Sequence, residues 1–254
     1  MGRTRDEYVL GFIFSVVVGL IFTLTTLWVE DTRAAEQRSY EDRRIREQTI
    51  QSNTAFVRNV VTTESDVKPF ARLDLDGASL SRLALSGADF RASSLRGADL
   101  FETDLSRADL GGADLSGAEL HYANLSGADL NNANLMRATM SGANLKSADL
   151  FAAHFDDAIL EGVNLKGANL GLAELEDASL EAVDLEGADL WRANLKDAYL
   201  KDANLKEANL AGANLEGADL KDANLTGANL KGAALTDANL KNAKLGCLGH
   251  DVCD

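Results

Sequence analysis

The sequence predicts an all-β solenoid, a stack of four-sided coils, preceded by a membrane-spanning helix and a helical stalk. Three observations predict it. An apolar residue recurs at every fifth position from Leu75 to Leu245. An uncharged run, Tyr8 to Val29, lies near the N-terminus. A charged segment of mixed sign joins the two and stops at the single proline, Pro69.

The composition agrees with a repeat architecture. Aromatic residues make up 6% of the 254 residues, so a core must be built from small aliphatic side chains packed regularly. The formal net charge of −15 excludes sequence-independent nucleic-acid binding, which needs a basic surface.

Residues 1–7 are a short flank and residues 8–29 the expected transmembrane helix. The uncharged run holds 22 residues, about 33 Å of helix against roughly 30 Å of hydrocarbon. Tyr8 and Trp28 mark its ends, where amphipathic rings favour the interface. It is too long for the apolar part of a signal peptide, and Trp28-Val29-Glu30-Asp31 offers no small-residue cleavage site. An uncleaved single-pass anchor is therefore expected. Arg33, Arg38, Arg43, Arg44 and Arg46 follow the span, whereas Arg3 and Arg5 precede it. The excess of positive charge after the span places the repeat domain in the cytoplasm. Within the span Gly11, Ser15, Gly19 and Thr23 recur every four residues, a candidate face for helix association and a homodimer.

Residues 30–66 read as a juxtamembrane stalk helix. Glu41 with Arg44, Asp42 with Arg46 and Arg43 with Glu47 fall at helical spacing. Tyr40, Ile45, Ile50, Phe56, Val57, Val60 and Val61 keep no clean heptad, so no coiled coil is read. The helix should end near Thr62 to Asp66, because Lys68-Pro69 disfavours its continuation.

Residues 67–245 carry the repeats. Of the 35 apolar positions all are leucine except Phe90, Met140 and Phe155. Alanine stands two residues before each, except at Leu73, Leu83, Ser93, Thr103, Val163 and Val183. A period of five fits neither regular element. In an α-helix it scatters the leucines around the cylinder, and in a strand it sends successive ones to opposite faces. The chain must turn at every repeat with each leucine inside the bend. Four bends close a coil of 20 residues, and stacked coils bury one continuous core. Alanine at the second inward position keeps the narrow interior from overfilling.

Repeats such as Ala98-Asp99-Leu100-Phe101-Glu102 and Ala213-Asn214-Leu215-Glu216-Gly217 resemble the pentapeptide-repeat family, whose pattern is A(D/N)LXX. The resemblance covers residues 71–245 and implies a right-handed quadrilateral β-helix. At about 4.8 Å per coil, 8–9 coils make a rod roughly 42 Å long. Most of the family is bacterial, so a bacterial inner membrane is the expected location. Phe70, Leu73 and Leu83 suggest an N-terminal cap made partly by the stalk. Leu248 and Val252, in the tail 246–254, are expected to cover the other end.

Residues 20 apart should stack. Asp89, Asp109, Asp129 and Asp149 form an acidic column, expected to bond locally to backbone rather than hold a cation. Lys201, Lys221 and Lys241 form a basic column read as a solvated face. Phe101, Tyr122, Phe151, Leu172 and Trp191 point outward and form the candidate partner patch, with Gly171 leaving a notch between Phe151 and Trp191. Cys247 and Cys253 are candidates for a disulfide, and with His250 they form only a weak zinc pattern. No catalytic constellation emerges, and no cofactor or metal is expected.

The expected function is thus a membrane-anchored, non-enzymatic scaffold for an unidentified protein partner. One alternative is an acidic DNA mimic acting on a type II topoisomerase, as the resemblance implies for some soluble family members. Another is a structural accessory subunit of a membrane complex.

Overall fold

The computed structural model describes residues 5–62 and 68–253, without the side chains of residues 5–17, 21, 26 and 27. The chain divides into two compact units, Met1–Thr49 and Ile50–Asp254. Helix α1 runs from Arg5 to Thr62.

The expected membrane span is corrected. Among the described residues no helix is long and apolar enough to cross a membrane. The single-pass anchor, the membrane as a partner, and the inner-membrane location with a cytoplasmic repeat domain fall with it. Gly11 and Ser15 of the association stripe lie outside the described side chains. Within the described part, the Thr23 hydroxyl donates to the Gly19 carbonyl of its own helix at 2.8 Å.

From Pro69 onward the chain is a solenoid. Each residue midway along a side pairs in parallel with the residue 20 later, from Pro69 with Asp89 to Asn224 with Lys244. Turning every five residues leaves only about three residues per side, so the pairing consists of single-residue bridges rather than extended strands. The leucines of the five-residue period point inward and are almost completely buried from Leu75 through Leu230, as are the alanines two residues before them. Burying each leucine contributes about 1.5–3 kcal/mol. Phe90, Met140 and Phe155 are buried in leucine positions, and Val163 and Val183 in alanine positions. The two polar exceptions, Ser93 and Thr103, are buried but bonded. Their hydroxyls donate to the carbonyls of Phe90 at 2.6 Å and Leu80 at 2.9 Å.

One repeat, Asp99 to Thr103, shows how every backbone donor is used. Asp99 N–H bonds back to Ala78 O in the preceding coil at 3.0 Å, and Leu100 N–H forward to Glu119 O at 2.8 Å. Phe101 N–H bonds to the Asp99 carboxylate at 3.1 Å. Glu102 N–H reaches forward to His121 O at 3.0 Å, and Thr103 N–H closes the turn on Leu100 O at 3.1 Å. This accounting explains the Asp or Asn before each leucine: its side chain accepts the one donor that neither neighbouring coil can satisfy.

Each turn needs a left-handed residue at its third position, here Glu102 at φ 53°. The repeat sets this demand at all 35 such positions from Arg72 to Asn242, and 21 of them carry a residue other than glycine. The turn geometry is therefore imposed by stacking, against the local preference of most of its residues.

The two ends differ. At the N-terminal end no preceding coil exists to donate to the carbonyls of Asp74, Ser79 and Ala84. Asn53 Nδ2 bonds to Asp74 O at 2.9 Å, Arg58 to Ser79 O at 2.6 Å, and Lys68 Nζ to Ala84 O at 2.9 Å. Pro69 occupies the bridge position whose N–H would have had no acceptor, and proline has none to offer. Val57 of α1 is fully buried on this end. Phe56 packs edge-on to Phe70, with ring centroids 5.8 Å apart, and Val60, Val61, Leu73 and Leu83 are half-buried against the core.

At the C-terminal end the pairing shifts by one residue. Asn229 pairs with Leu248, which therefore continues the coil and is 63% exposed instead of covering the end. Val252 and Cys253 pack on the core, while Leu235 and Leu240 are half-buried and Leu245 is exposed.

Candidate interaction surface

The outward side chains fall on corners and sides set by their position within the 20-residue coil. Phe101 and Tyr122 share one corner. Their rings meet edge to face at 6.0 Å, and the Arg82 guanidinium lies over Phe101 at 5.4 Å while pairing with Glu102 at 2.9 Å. Phe151, Leu172 and Trp191 belong to a corner half a coil away, on the diagonally opposite edge of the rod. The five aromatic and aliphatic candidates are thus two separate clusters.

In the second cluster Gly171 is buried beneath Phe151. A Cβ at Gly171 would meet the Phe151 ring at 3.2 Å, so the ring fills the space that the missing side chain leaves. Leu172 N–H donates to Trp191 O at 2.9 Å, which holds the two exposed side chains in adjacent coils. Leu172 and Trp191 are 37% and 41% exposed, and Arg192 lies over the indole at 5.3 Å. Tyr122 follows the same rule as Phe151, lying against Gly142, 20 residues on. A large outward residue followed 20 positions later by glycine is a sequence signal for such overlays.

The acidic column is bonded locally. The carboxylates of Asp89, Asp109, Asp129 and Asp149 each accept the N–H two residues on, at 3.0–3.3 Å. Arg91 pairs with Asp89 at 2.7 Å and Asp109 at 3.3 Å, and Asn131 bridges Asp129 and Asp149 at 2.7 and 2.9 Å. The hydrogen bond from Arg91 holds the Asp89 carboxyl below its ordinary value and the guanidinium above its own. In the basic column Lys201 pairs with Glu181 at 2.7 Å and Asp202 at 3.4 Å, which raises its pKa.

Asparagines on all four sides form ladders running back along the rod. On one side Asn164 donates to Asn144, Asn144 to Asn124, and Asn124 to the Asp104 carboxylate, at 3.2, 3.0 and 3.0 Å. Each ladder starts on an acidic residue: Asp104, Asp114, Asp149, Glu174, Asp184, Asp189 or Asp219. The physical reason is that the first rung must accept without donating, which a carboxylate does and an amide does not.

In the tail Cys247 and Cys253 are joined by a disulfide with Cα atoms 5.0 Å apart, and Cys247 is buried in the end of the core. His250 Nδ1 accepts the Val252 N–H at 3.3 Å, which turns that nitrogen away from a zinc-ligand role. Among the described residues no group of three His, Cys, Asp or Glu is placed to hold a metal.

These features have counterparts in known proteins. The family model described as pentapeptide repeats matches in 8 copies, over residues running from 74 to 242. HetL, a pentapeptide repeat protein involved in heterocyst differentiation regulation in the cyanobacterium Nostoc, is 33% identical. The match covers 77% of this chain and 96% of HetL, with a TM-score of 0.52. QnrB1, a plasmid-mediated fluoroquinolone resistance protein, is 20% identical over 68% of this chain and 89% of its own, with a TM-score of 0.36. A pentapeptide repeat protein of the Arabidopsis thaliana thylakoid lumen is 28% identical over 41% and 66%, with a TM-score of 0.22. No curated protein is significantly similar in sequence. With repeats matched over well over half its length, this chain belongs to the pentapeptide-repeat family.

Proposed function

We propose that the chain is a non-enzymatic scaffold that binds a protein partner at the Phe151–Leu172–Trp191 corner. One observation carries this reading: two large apolar side chains, Leu172 and Trp191, are held exposed on an edge tied coil to coil, with Leu172 N–H donating to Trp191 O and Arg192 N–H to Ala211 O, each at 2.9 Å. A prearranged apolar surface binds with little ordering cost, and aromatic anchors of this kind dominate interface energetics. HetL, of the same family, has a role in regulation by its description, and a regulator acting by contact needs such a surface.

Co-purification from the native cell tests the reading. Leu172→Ala plus Trp191→Ala should abolish capture of the partner while the melting temperature stays within a few degrees. Capture unchanged by the pair would refute it.

The acidic duplex mimic fits less well. A mimic of phosphates needs carboxylates free of counter-charge, whereas Arg91 already pairs with Asp89 and Asp109, and Arg96 with Asp76 at 2.6 Å. Inhibition of gyrase supercoiling by the purified protein would favour the mimic instead.

A further inference from the structure

We infer that the partner taken by the Phe151–Leu172–Trp191 corner is a basic protein segment that presents arginine or lysine beside apolar side chains. The inference rests on the scaffold reading and specifies the chemistry of its partner.

The argument is one of charge complementarity around an apolar strip. Phe151, Gly171 and Trp191 follow one another along the corner, coil by coil, over about 10 Å of rod. The side next to this corner carries Asp129, Asp149 and Asp189, and the side beyond it carries Glu174. Their hydrogen bonds come from neutral groups. Asp149 accepts from Asn131 and Asn169, Asp189 from Trp191 N–H and Asn209, and Glu174 from Asn194. Among the described residues no lysine or arginine forms an ion pair with any of the four. Elsewhere on the rod, carboxylates such as Glu181 and Glu186 are paired with a lysine of the adjacent coil, Lys201 and Lys166. The apolar strip is therefore flanked by negative charge that this chain leaves uncompensated.

The cation within the strip is Arg192, and it lies over the Trp191 ring at 5.3 Å. The indole thus already holds a guanidinium against its face, the contact that a partner's arginine would make. An acidic or neutral apolar partner would meet uncompensated carboxylates on both flanks. A basic one gains attraction on both flanks and covers the strip.

The test uses the full chain carrying Trp28→Phe, so that Trp191 is its one remaining tryptophan. The probes are a short synthetic peptide alternating arginine and leucine and its glutamate–leucine counterpart. The arginine peptide should change Trp191 fluorescence saturably and bind more weakly as salt is raised, while the glutamate peptide should not bind. Asp149→Asn plus Asp189→Asn keeps the oxygens that accept from Asn169 and Asn209, gives up the Asp149 oxygen that accepts from Asn131, and should weaken binding about tenfold or more. Asp99→Asn plus Asp219→Asn, on a different side, should change it less than about twofold. Absence of saturable binding, or equal weakening by the two pairs, overturns the inference. If the native partner is still lost on Leu172→Ala plus Trp191→Ala while the arginine peptide fails to bind, the scaffold stands and the basic partner falls.

Discussion

Asn53 Nδ2 donates to the Asp74 carbonyl at 2.9 Å, in the place where one coil later Leu75 N–H donates to Ser94 O at 2.7 Å. A helix side chain therefore substitutes for the backbone of a missing coil. Arg58 and Lys68 repeat the substitution on two further sides. Asn53→Ala should cost about 1 kcal/mol and Arg58→Ala about 1.5–3 kcal/mol, since the latter bond is charge-assisted. Val57→Ala, which opens the fully buried contact between them, should cost about 2 kcal/mol. Denaturant midpoints measure all three, and changes below a few tenths of a kcal/mol would show that this end needs no cap.

The ladders make asparagine and aspartate unequal. Asn144 donates to Asn124, accepts from Asn164 and accepts the Lys146 N–H. Asn144→Ala removes all three bonds and should cost about 1–2 kcal/mol. Asn144→Asp keeps both accepted bonds and should cost less than the alanine variant. Equal losses in thermal melts would mean that the amide donor, not the acceptor, carries the ladder.

Turn glycines should differ according to what lies over them. Gly117, at φ 65°, has open space where a methyl group would stand, so Gly117→Ala should cost only the backbone term, about 1 kcal/mol. Gly142→Ala adds a clash, because its Cβ would lie 2.7 Å from the Tyr122 ring. It should cost more than Gly117→Ala, and Tyr122→Ala should remove the excess. A double-mutant cycle with no coupling would contradict the overlay.

The Asp76 carboxyl links stability to acid. Burial raises its pKa, but hydrogen bonds from Arg96 and Ser94 outweigh that and hold it below the ordinary 3.8. Because the folded value lies below the unfolded one, its contribution is complete above about pH 4 and is lost as pH falls through the lower folded value. Arg96→Met should therefore reduce the acid-side slope of stability measured from about pH 2 to pH 6. An unchanged slope would show that the pair contributes nothing to acid stability.

The solenoid is legible in the sequence because its signal is geometric and repeated: a period of five admits no helix or strand that buries Leu75 through Leu245 together. The columns follow from counting in twenties, which by arithmetic alone places Phe101 and Phe151 on opposite corners. The N-terminal cap is less legible. Asn53, Arg58 and Lys68 bond to backbone carbonyls, and a carbonyl leaves no trace in sequence; only Pro69 marks where a donor is not needed. Gly171 is not the open notch that its missing side chain suggests, because the Phe151 ring in the preceding coil leans into the space. The expected span from Tyr8 to Val29 rests on its length, its lack of charge, the aromatic residues at its ends and the lack of a cleavage site after it. The described residues do not support it, since no helix among them is long and apolar enough to cross a membrane. At the other end hydrophobicity assigns Leu248 to the cap, but backbone pairing with Asn229 turns it outward.

The most direct measurement of the central claim, a partner surface assembled by coil register, compares two insertions of a single extra repeat, Ala-Asp-Leu-Lys-Gly. Placed after Gly127, the repeat keeps Phe151, Leu172 and Trp191 in register with one another. Placed after Gly187, it moves Trp191 one corner away from Phe151 and Leu172. Both keep the period of five, so both should fold with cooperative melts. The account predicts that the native partner co-purifies with the first variant and is lost from the second. Equal capture by both, or failure of both to fold, would contradict it.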